Sequence, residues 1–520
     1  MESKINQLRL GSVLSYVSMF LNILVSAVYS PIMIRLLGQS EYGLYSTVSS
    51  TIATLSVLNL GFSAGYVRYF ARYKKDNDME SIYRLNALYL IIFAIIGAIA
   101  FICGMLFTLN IELIYADGFT SSEYNTARVL MLLMAINMAT NFAFTVFRVA
   151  LTANEKFVFS RIISITLTLI KPAIMLPLLF LGYKSITMVV VTLVIGLVLD
   201  LIYVLYFFIV LKYKFVFRGM DVAILKGLFA YTGFIAIHLI VDQVNFNIDK
   251  ILLGRFVGTA SVAVYSVGYT LFNYYMNFST ATSGVFTPRV HKIVNANADN
   301  PAEQRRELTA LFTKIGRLQF LLLGLLITGI IFFGRSFIGH WAGDGYGNAY
   351  YVVMLLAIPC TIPLMQNIGI EIERALNIHK FRCIVYLFMA IANLSFSIVM
   401  CQRYGEIGVA IGTAISFVIC QGVIINIHYH KRCNIDIIHF WKNILSIMTG
   451  QILPVAVGVI IMRFADMSNI FMMFVWIAVY SIVYCLSVWL CSMNKYEKEL
   501  ILNPVRKVLG IVVKRKHEKA

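Results

Sequence analysis

Apolar runs of twenty or more residues recur along the whole chain, separated by short polar stretches. Each run is long enough to cross a hydrocarbon core of about 30 Å at a rise of 1.5 Å per residue. This pattern predicts about fourteen transmembrane helices. Their expected limits are 11–36, 43–70, 83–109, 125–150, 156–181, 185–211, 228–253, 259–287, 311–334, 349–375, 381–401, 406–430, 443–464 and 469–492. A transmembrane barrel would show short segments of alternating polarity instead. The expected fold is therefore an all-α polytopic membrane protein. The opening "MESKINQLRL" is too short for a cleaved signal peptide, so the first span is expected to be retained.

The spans echo one another. A shift of 216 residues lays "IRLLG" (34–38) on "KILLG" (250–254), and "EYGLYS" (41–46) resembles "SVAVYS" (261–266). A shift of 226 lays Asn141 on Asn367 and Arg148 on Arg374, and "ALTANEKF" (150–157) echoes "ALNIHKF" (375–381). The shared order of these echoes predicts an N-terminal six-helix lobe at 1–215 and a C-terminal six-helix lobe at 216–436. Two additional helices at 437–494 and a basic tail at 495–520 follow. Halves with an even number of spans start on the same side of the membrane. Such parallel repeats are a common transporter plan.

Composition agrees with the pattern: 60% of residues are hydrophobic and 13% charged, against about a quarter charged in soluble domains. The net charge of +18 does not indicate nucleic acid, because the charge is sided. With both termini in the cytoplasm, the external loops hold only Arg35, Arg128, Lys184, Arg255, Arg335, Arg403 and Arg463. Lys171 and Lys250 lie within spans, and all other cations fall on the cytoplasmic side, the positive-inside distribution. The tail segment "KRKHEK" (514–519) reads first as a topology anchor, with contact to anionic lipid as the second reading. The eight cysteines are scattered, with no CxxC, so neither a disulfide nor a metal site is expected. No P-loop, GxGxxG or HExxH occurs, so no cofactor and no catalytic residue is expected.

"RLLGQSEYGLYS" (35–46), "NIDKILLG" (247–254), the two "AL…KF" turns and "YGEIGVAIGTAIS" (404–416) resemble the Wzx-type polysaccharide-biosynthesis flippases. These belong to the superfamily that includes the MATE drug exporters and the lipid II flippases. The resemblance covers nearly the whole chain. It implies two six-helix lobes around a central cavity and a bacterial cytoplasmic membrane. It also implies a glycan on undecaprenyl diphosphate as cargo, with membrane lipids and other polysaccharide-assembly membrane proteins as partners. Lipid II flippases carry arginines in their first cavity helices. Here no cation lies between Gly11 and Ile34, which makes lipid II a less expected cargo.

Polar residues inside spans point to the site. His238, Asp242, Asn245 and Asp249 are spaced 4, 3 and 4 apart on one helix face. A charge at bilayer depth costs at least about 2.5–3.5 kcal/mol, so that face is expected to turn toward protein or water. Asp249 and Lys250 equally fit a local ion pair near the external interface. Through the repeat, the stripe falls on Asn22, Ser26, Tyr29 and Met33 of the first span. Asn273 and Asn277 of the eighth span, and Asn141 and Asn367 of the fourth and tenth, extend the polar set. Lys171, His238, Asp242, Asn245, Asp249, Asn22, Tyr29, Asn273, Asn277 and Asn367 are candidate lining of the cargo cavity, because amides and hydroxyls hydrogen-bond sugars. Asp242, Asp249 and Glu371 are candidates for ion coupling. Lys171 lies mid-span, followed by Pro172 and Pro177. It has two readings: a structural ion pair with Asp242, Asp249 or Glu371, or contact with a diphosphate. Its counterpart in the repeat is Asn393.

Translocation of a lipid-linked oligosaccharide is the leading function. An ion-coupled exporter of small molecules on the same fold is the nearest alternative. A membrane glycan polymerase or ligase is less expected, because the external loops are short and offer chiefly Asp117, Glu123, His340, Asp344 and Glu406.

Overall fold

The computed structural model describes residues 2–116, 118–219, 223–283, 286–297, 299–378, 380–500 and 502–503. Asp117 and the 514–519 segment fall outside the described residues. So do the side chains of several helical residues, His238 among them.

The described residues are mostly helical, joined by short turns and loops, and contain no strand. The first helices in chain order are α1 (Glu2–Leu37), α2 (Gln39–Thr54), α3 (Phe62–Lys75), α4 (Met79–Leu109) and α5 (Ile111–Tyr115). Next come α6 (Ser121–Ala143), α7 (Thr145–Ala153), α8 (Phe157–Phe180), α9 (Ser185–Leu205) and α10 (Ala223–Phe256). The second half holds α11 (Thr259–Ser283), α12 (Thr287–Ala296), α13 (Pro301–Ala342), α14 (Ala349–Met365) and α15 (Ile368–Ala375). It ends with α16 (Lys380–Phe417), α17 (Ile425–Lys431), α18 (Ile437–Met448), α19 (Ile452–Phe464) and α20 (Ile470–Cys491).

Helix starts are fixed by polar caps in the loops. The hydroxyl and then the N–H of Ser81 donate to Asp78 ahead of α4 and hold its carboxyl below the usual carboxylate range. Thr120 and Glu123 form a reciprocal capping box on α6. Asp436 accepts the His439 N–H at 3.0 Å ahead of α18.

Ten helical stretches among the described residues are long and apolar enough to cross a membrane. The pair α14 and α15, bent by 43°, makes an eleventh if taken as one span. This is fewer than the fourteen expected. One reason is that Lys380–Lys431 forms a single 52-residue stretch covering two expected spans. A straight helix of that many residues would measure about 78 Å, more than twice the hydrocarbon thickness, so one span cannot contain it. The break between the two spans survives as one residue, Gly405, whose φ of 57° and ψ of −133° are non-helical.

The chain divides into two compact units. Unit 1 is Met1–Val267 with Tyr386–Thr413. In it α1 packs along α8, α4 along α6, and α10 against α2. Its core contains an aromatic cluster of Tyr66, Phe70, Tyr89, Phe93, Phe147 and Phe207. Unit 2 is Gly268–Val385 with Ala414–Ala520. There the long α13 packs on α14, α18, α19 and α20, with Phe332, Phe333, Ile461 and Tyr480 forming part of its core.

Candidate functional site

In unit 1, the end of the α10 polar stripe turns into packed protein. Asp249 is wholly buried. Its Oδ2 accepts the Tyr265 hydroxyl at 2.6 Å and lies 2.9 Å from Thr413 Oγ1. Thr413 Oγ1 also stands 3.0 Å from Asn393 Oδ1. That amide oxygen accepts the Ser397 hydroxyl at 3.0 Å, and Asn393 Nδ2 donates to Asn245 Oδ1 at 3.4 Å. Asn245, Tyr265, Asn393, Ser397 and Thr413 are all buried. Asp249 Oδ1 accepts no hydrogen bond from the described residues.

The local sequence explains the assembly. Asn393 and Ser397 are one helical turn apart and share a face. The chain reverses at Gly405, so the two parts of α16 run side by side. Gly412 lets them approach: a Cβ there would meet the Ser397 backbone nitrogen at 2.7 Å. This close approach seats Thr413 between Asn393 and Asp249.

The other stripe residues differ in exposure. Asp242 and Lys250 are half-buried on α10, and the His238 side chain lies outside the described residues. On α1, Asn22 is exposed and Tyr29 half-buried. Ser18 on α1 and Ser164 on α8 are 3.3 Å apart, so the helix bearing Lys171 packs on the helix bearing Asn22 and Tyr29.

Lys171 is half-buried and makes no ion pair or hydrogen bond with the described residues. The expected ion pair with Asp242, Asp249 or Glu371 does not form. Asp249 takes its hydrogen bonds from hydroxyls, and Glu371 pairs with Arg374 at 2.7 Å. The helix α8 continues through Pro172 and Pro177. Neither proline has an N–H, so the carbonyls of Thr168 and Ala173, one turn earlier, lose their intrahelical donors.

In unit 2, Asn273 is half-buried and Asn277 exposed on α11. Asn367 donates to Ser279 Oγ at 3.3 Å. A second buried polar cluster lies at the α15, α16 and α17 termini. Arg382 donates to both the Glu373 carboxylate and the Tyr429 hydroxyl. Glu373 Oε1 stands 3.5 Å from His428 Nε2. Ligand atoms of Glu373, His428 and Cys433 all lie within 4.8 Å of one another, a grouping that cysteine spacing did not reveal. The Arg382 guanidinium already neutralises Glu373, so its charge opposes a divalent ion there.

Residues 9–294, more than half of the chain, match the model of the family described as "Polysaccharide biosynthesis protein". The chain belongs to this family.

One curated relative in sequence is "Probable low-salt glycan biosynthesis flippase Agl15" of Haloferax volcanii. It is 22% identical over 207 residues, 39% of this chain and 42% of the relative, so the match spans less than half of that protein. Among solved structures, the lipid II flippase MurJ in an inward closed conformation superposes with a TM-score of 0.66 at 15% identity. That match covers 95% of this chain and 99% of MurJ. An inward-facing multidrug resistance MATE transporter of the MOP superfamily superposes with a TM-score of 0.62 at 13% identity, covering 82% and 96%. At these identities the likeness is one of fold. The chain thus shares its helical fold with MurJ and with the MATE transporter.

The polar stripe on α10 showed Asn245 and Asp249 within one helix. It did not show their buried partners. Asn393 had appeared only as the repeat counterpart of Lys171. Ser397 and Thr413 carried no sequence signal beyond being hydroxyls inside apolar spans.

Proposed function

We propose that this protein moves a lipid-linked oligosaccharide, carried on undecaprenyl diphosphate, from the cytoplasmic to the outer leaflet by alternating access. It acts as a transporter and not as an enzyme. The observation that carries the reading is Lys171. A cation held mid-span with no partner among the described residues is costly unless a ligand or water meets it. In a chain of this family, a diphosphate is the anion that fits. Asn22 and Tyr29, on the helix packed against α8, offer an amide and a hydroxyl for sugar groups.

The Asp249 cluster supports ion coupling. It offers one carboxylate surrounded by the neutral oxygens of Asn393, Ser397 and Thr413. Oxygen-only sets of this kind suit hard cations, and a single carboxylate matches one proton or one Na⁺. Glu371 is a weaker coupling candidate, because Arg374 already balances its charge.

The test is complementation of a bacterial strain that lacks its own oligosaccharide flippase and accumulates lipid-linked intermediates on the cytoplasmic leaflet. Restored surface glycan with clearance of the intermediates is expected. Drug resistance without restored glycan would instead identify a small-molecule exporter.

A further inference from the structure

Unit 2 carries a basic cavity that the transport reading does not use. It has a volume of about 560 Å³ and is lined by Asn377, Ile378, Lys380, Phe381, Ile424, Ile427, His428, Lys431 and Arg432. Lys380 opens α16, while Lys431 closes α17 with Arg432 just beyond it. No acid lines the cavity among the described residues. Lys380, Lys431 and Arg432 are exposed, and their side chains make no ion pair or hydrogen bond with the described residues. Three cations therefore converge on one cavity without an acid to balance them. Glu373, 3.5 Å from the lining residue His428, is already paired with Arg382.

The cavity has a firm floor. The His428 ring stacks on Phe381 with centroids 4.4 Å apart. Asn377 takes a left-handed φ of 58°, and its turn brings Lys380 back beside α17. Apolar walls complete the site: Phe381 and Ile427 are 40% and 50% exposed. A mouth of cations above exposed apolar side chains matches a lipid, whose charged head and hydrocarbon adjoin. The positive-inside distribution puts this end of the spans in the cytoplasmic leaflet, where basic pockets between helices take anionic head groups.

We propose that this cavity binds the phosphate of an anionic bilayer phospholipid, with Lys380, Lys431 and Arg432 as the head-group ligands and Phe381 and Ile427 against the acyl chains. The cavity shares no residue with the proposed cargo contacts, and its test does not depend on transport.

The full chain is purified, placed in nanodiscs of phosphatidylglycerol and phosphatidylcholine, and analysed by native mass spectrometry for retained lipid. Wild-type protein should retain phosphatidylglycerol in preference to phosphatidylcholine. The triple variant Lys380→Gln, Lys431→Gln, Arg432→Gln should weaken that preference roughly 100-fold, on the basis of about fivefold per cation near a charged surface. A control variant, Lys292→Gln, Arg305→Gln, Arg306→Gln, removes the same charge elsewhere on the cytoplasmic side and should retain the lipid. Both variants should melt near the wild-type temperature, because the residues replaced are exposed. Equal lipid retention by the two variants would overturn the proposal. Full displacement of phosphatidylglycerol by millimolar inorganic phosphate would overturn it too, in favour of a free-anion site.

Discussion

The Tyr265 hydroxyl donates to Asp249 at 2.6 Å, and both residues are almost completely shielded from solvent. Tyr265 thus supports a carboxylate held inside packed protein. Hydrogen bonds to charged groups contribute about 1.5–3 kcal/mol. Tyr265→Phe is expected to lower the melting temperature of the purified protein. Asp249→Asn, which removes the charge and keeps the shape, should cost less stability but abolish the ion dependence of transport. Unchanged dependence on Na⁺ and on pH in Asp249→Asn would remove this residue from the coupling scheme.

Lys171 gives a sharper test, because its two roles predict opposite phenotypes. Lys171→Met should leave membrane abundance near normal, since no acid among the described residues loses a partner. It should abolish glycan export. Lys171→Arg should keep part of the activity, because charge is retained while geometry changes. Full complementation by Lys171→Met at normal abundance would rule out a cargo contact.

The stripe on α10 is graded along its length, and cysteine labelling reads that gradation. A cysteine at Asp242, half-buried, should react with a small water-soluble thiol reagent. Cysteines at Asn245 and Asp249, buried against α16, should react far more slowly. Equal rates at the three positions would mean that the helix is not packed as described.

The Arg382–Glu373 pair, with Tyr429, ties three helix ends together. Removing one partner of a buried pair leaves a charge unpaired and costs about 3–5 kcal/mol. Glu373→Gln should therefore reduce folded protein in the membrane strongly. The double change Glu373→Gln, Arg382→Met should recover much of it. Additive losses in fluorescence-detected size-exclusion profiles would contradict the coupling.

Close helix contacts in unit 1 depend on glycine. A Cβ at Gly43 would lie 1.8 Å from the Thr259 carbonyl oxygen, whereas one at Gly329 or Gly339 meets nothing within 4 Å. Gly43→Ala is expected to lower the melting temperature by several degrees, and Gly329→Ala to be neutral or slightly stabilising through helix propensity. Indistinguishable melting of the two would show that α2 and the start of α11 are not in contact.

The amino-acid sequence alone determined the class of this protein, because burial in hydrocarbon imposes a simple rule on every spanning helix: a long apolar run. It also marked Lys171, Asp242 and Asp249, since a charge inside such a run is legible without any knowledge of neighbours. It revealed the face that Asn245 and Asp249 share, because the helical period is a property of one segment. The partners of that face came only from tertiary structure. Thr413 lies 164 residues from Asp249, and Asn393 lies 148 from Asn245. Nothing local records such pairs: which helices meet, and in what register, depends on shape and on small residues such as Gly412. The same holds for Glu373 and Arg382, which become buried partners only once α15, α16 and α17 are packed together.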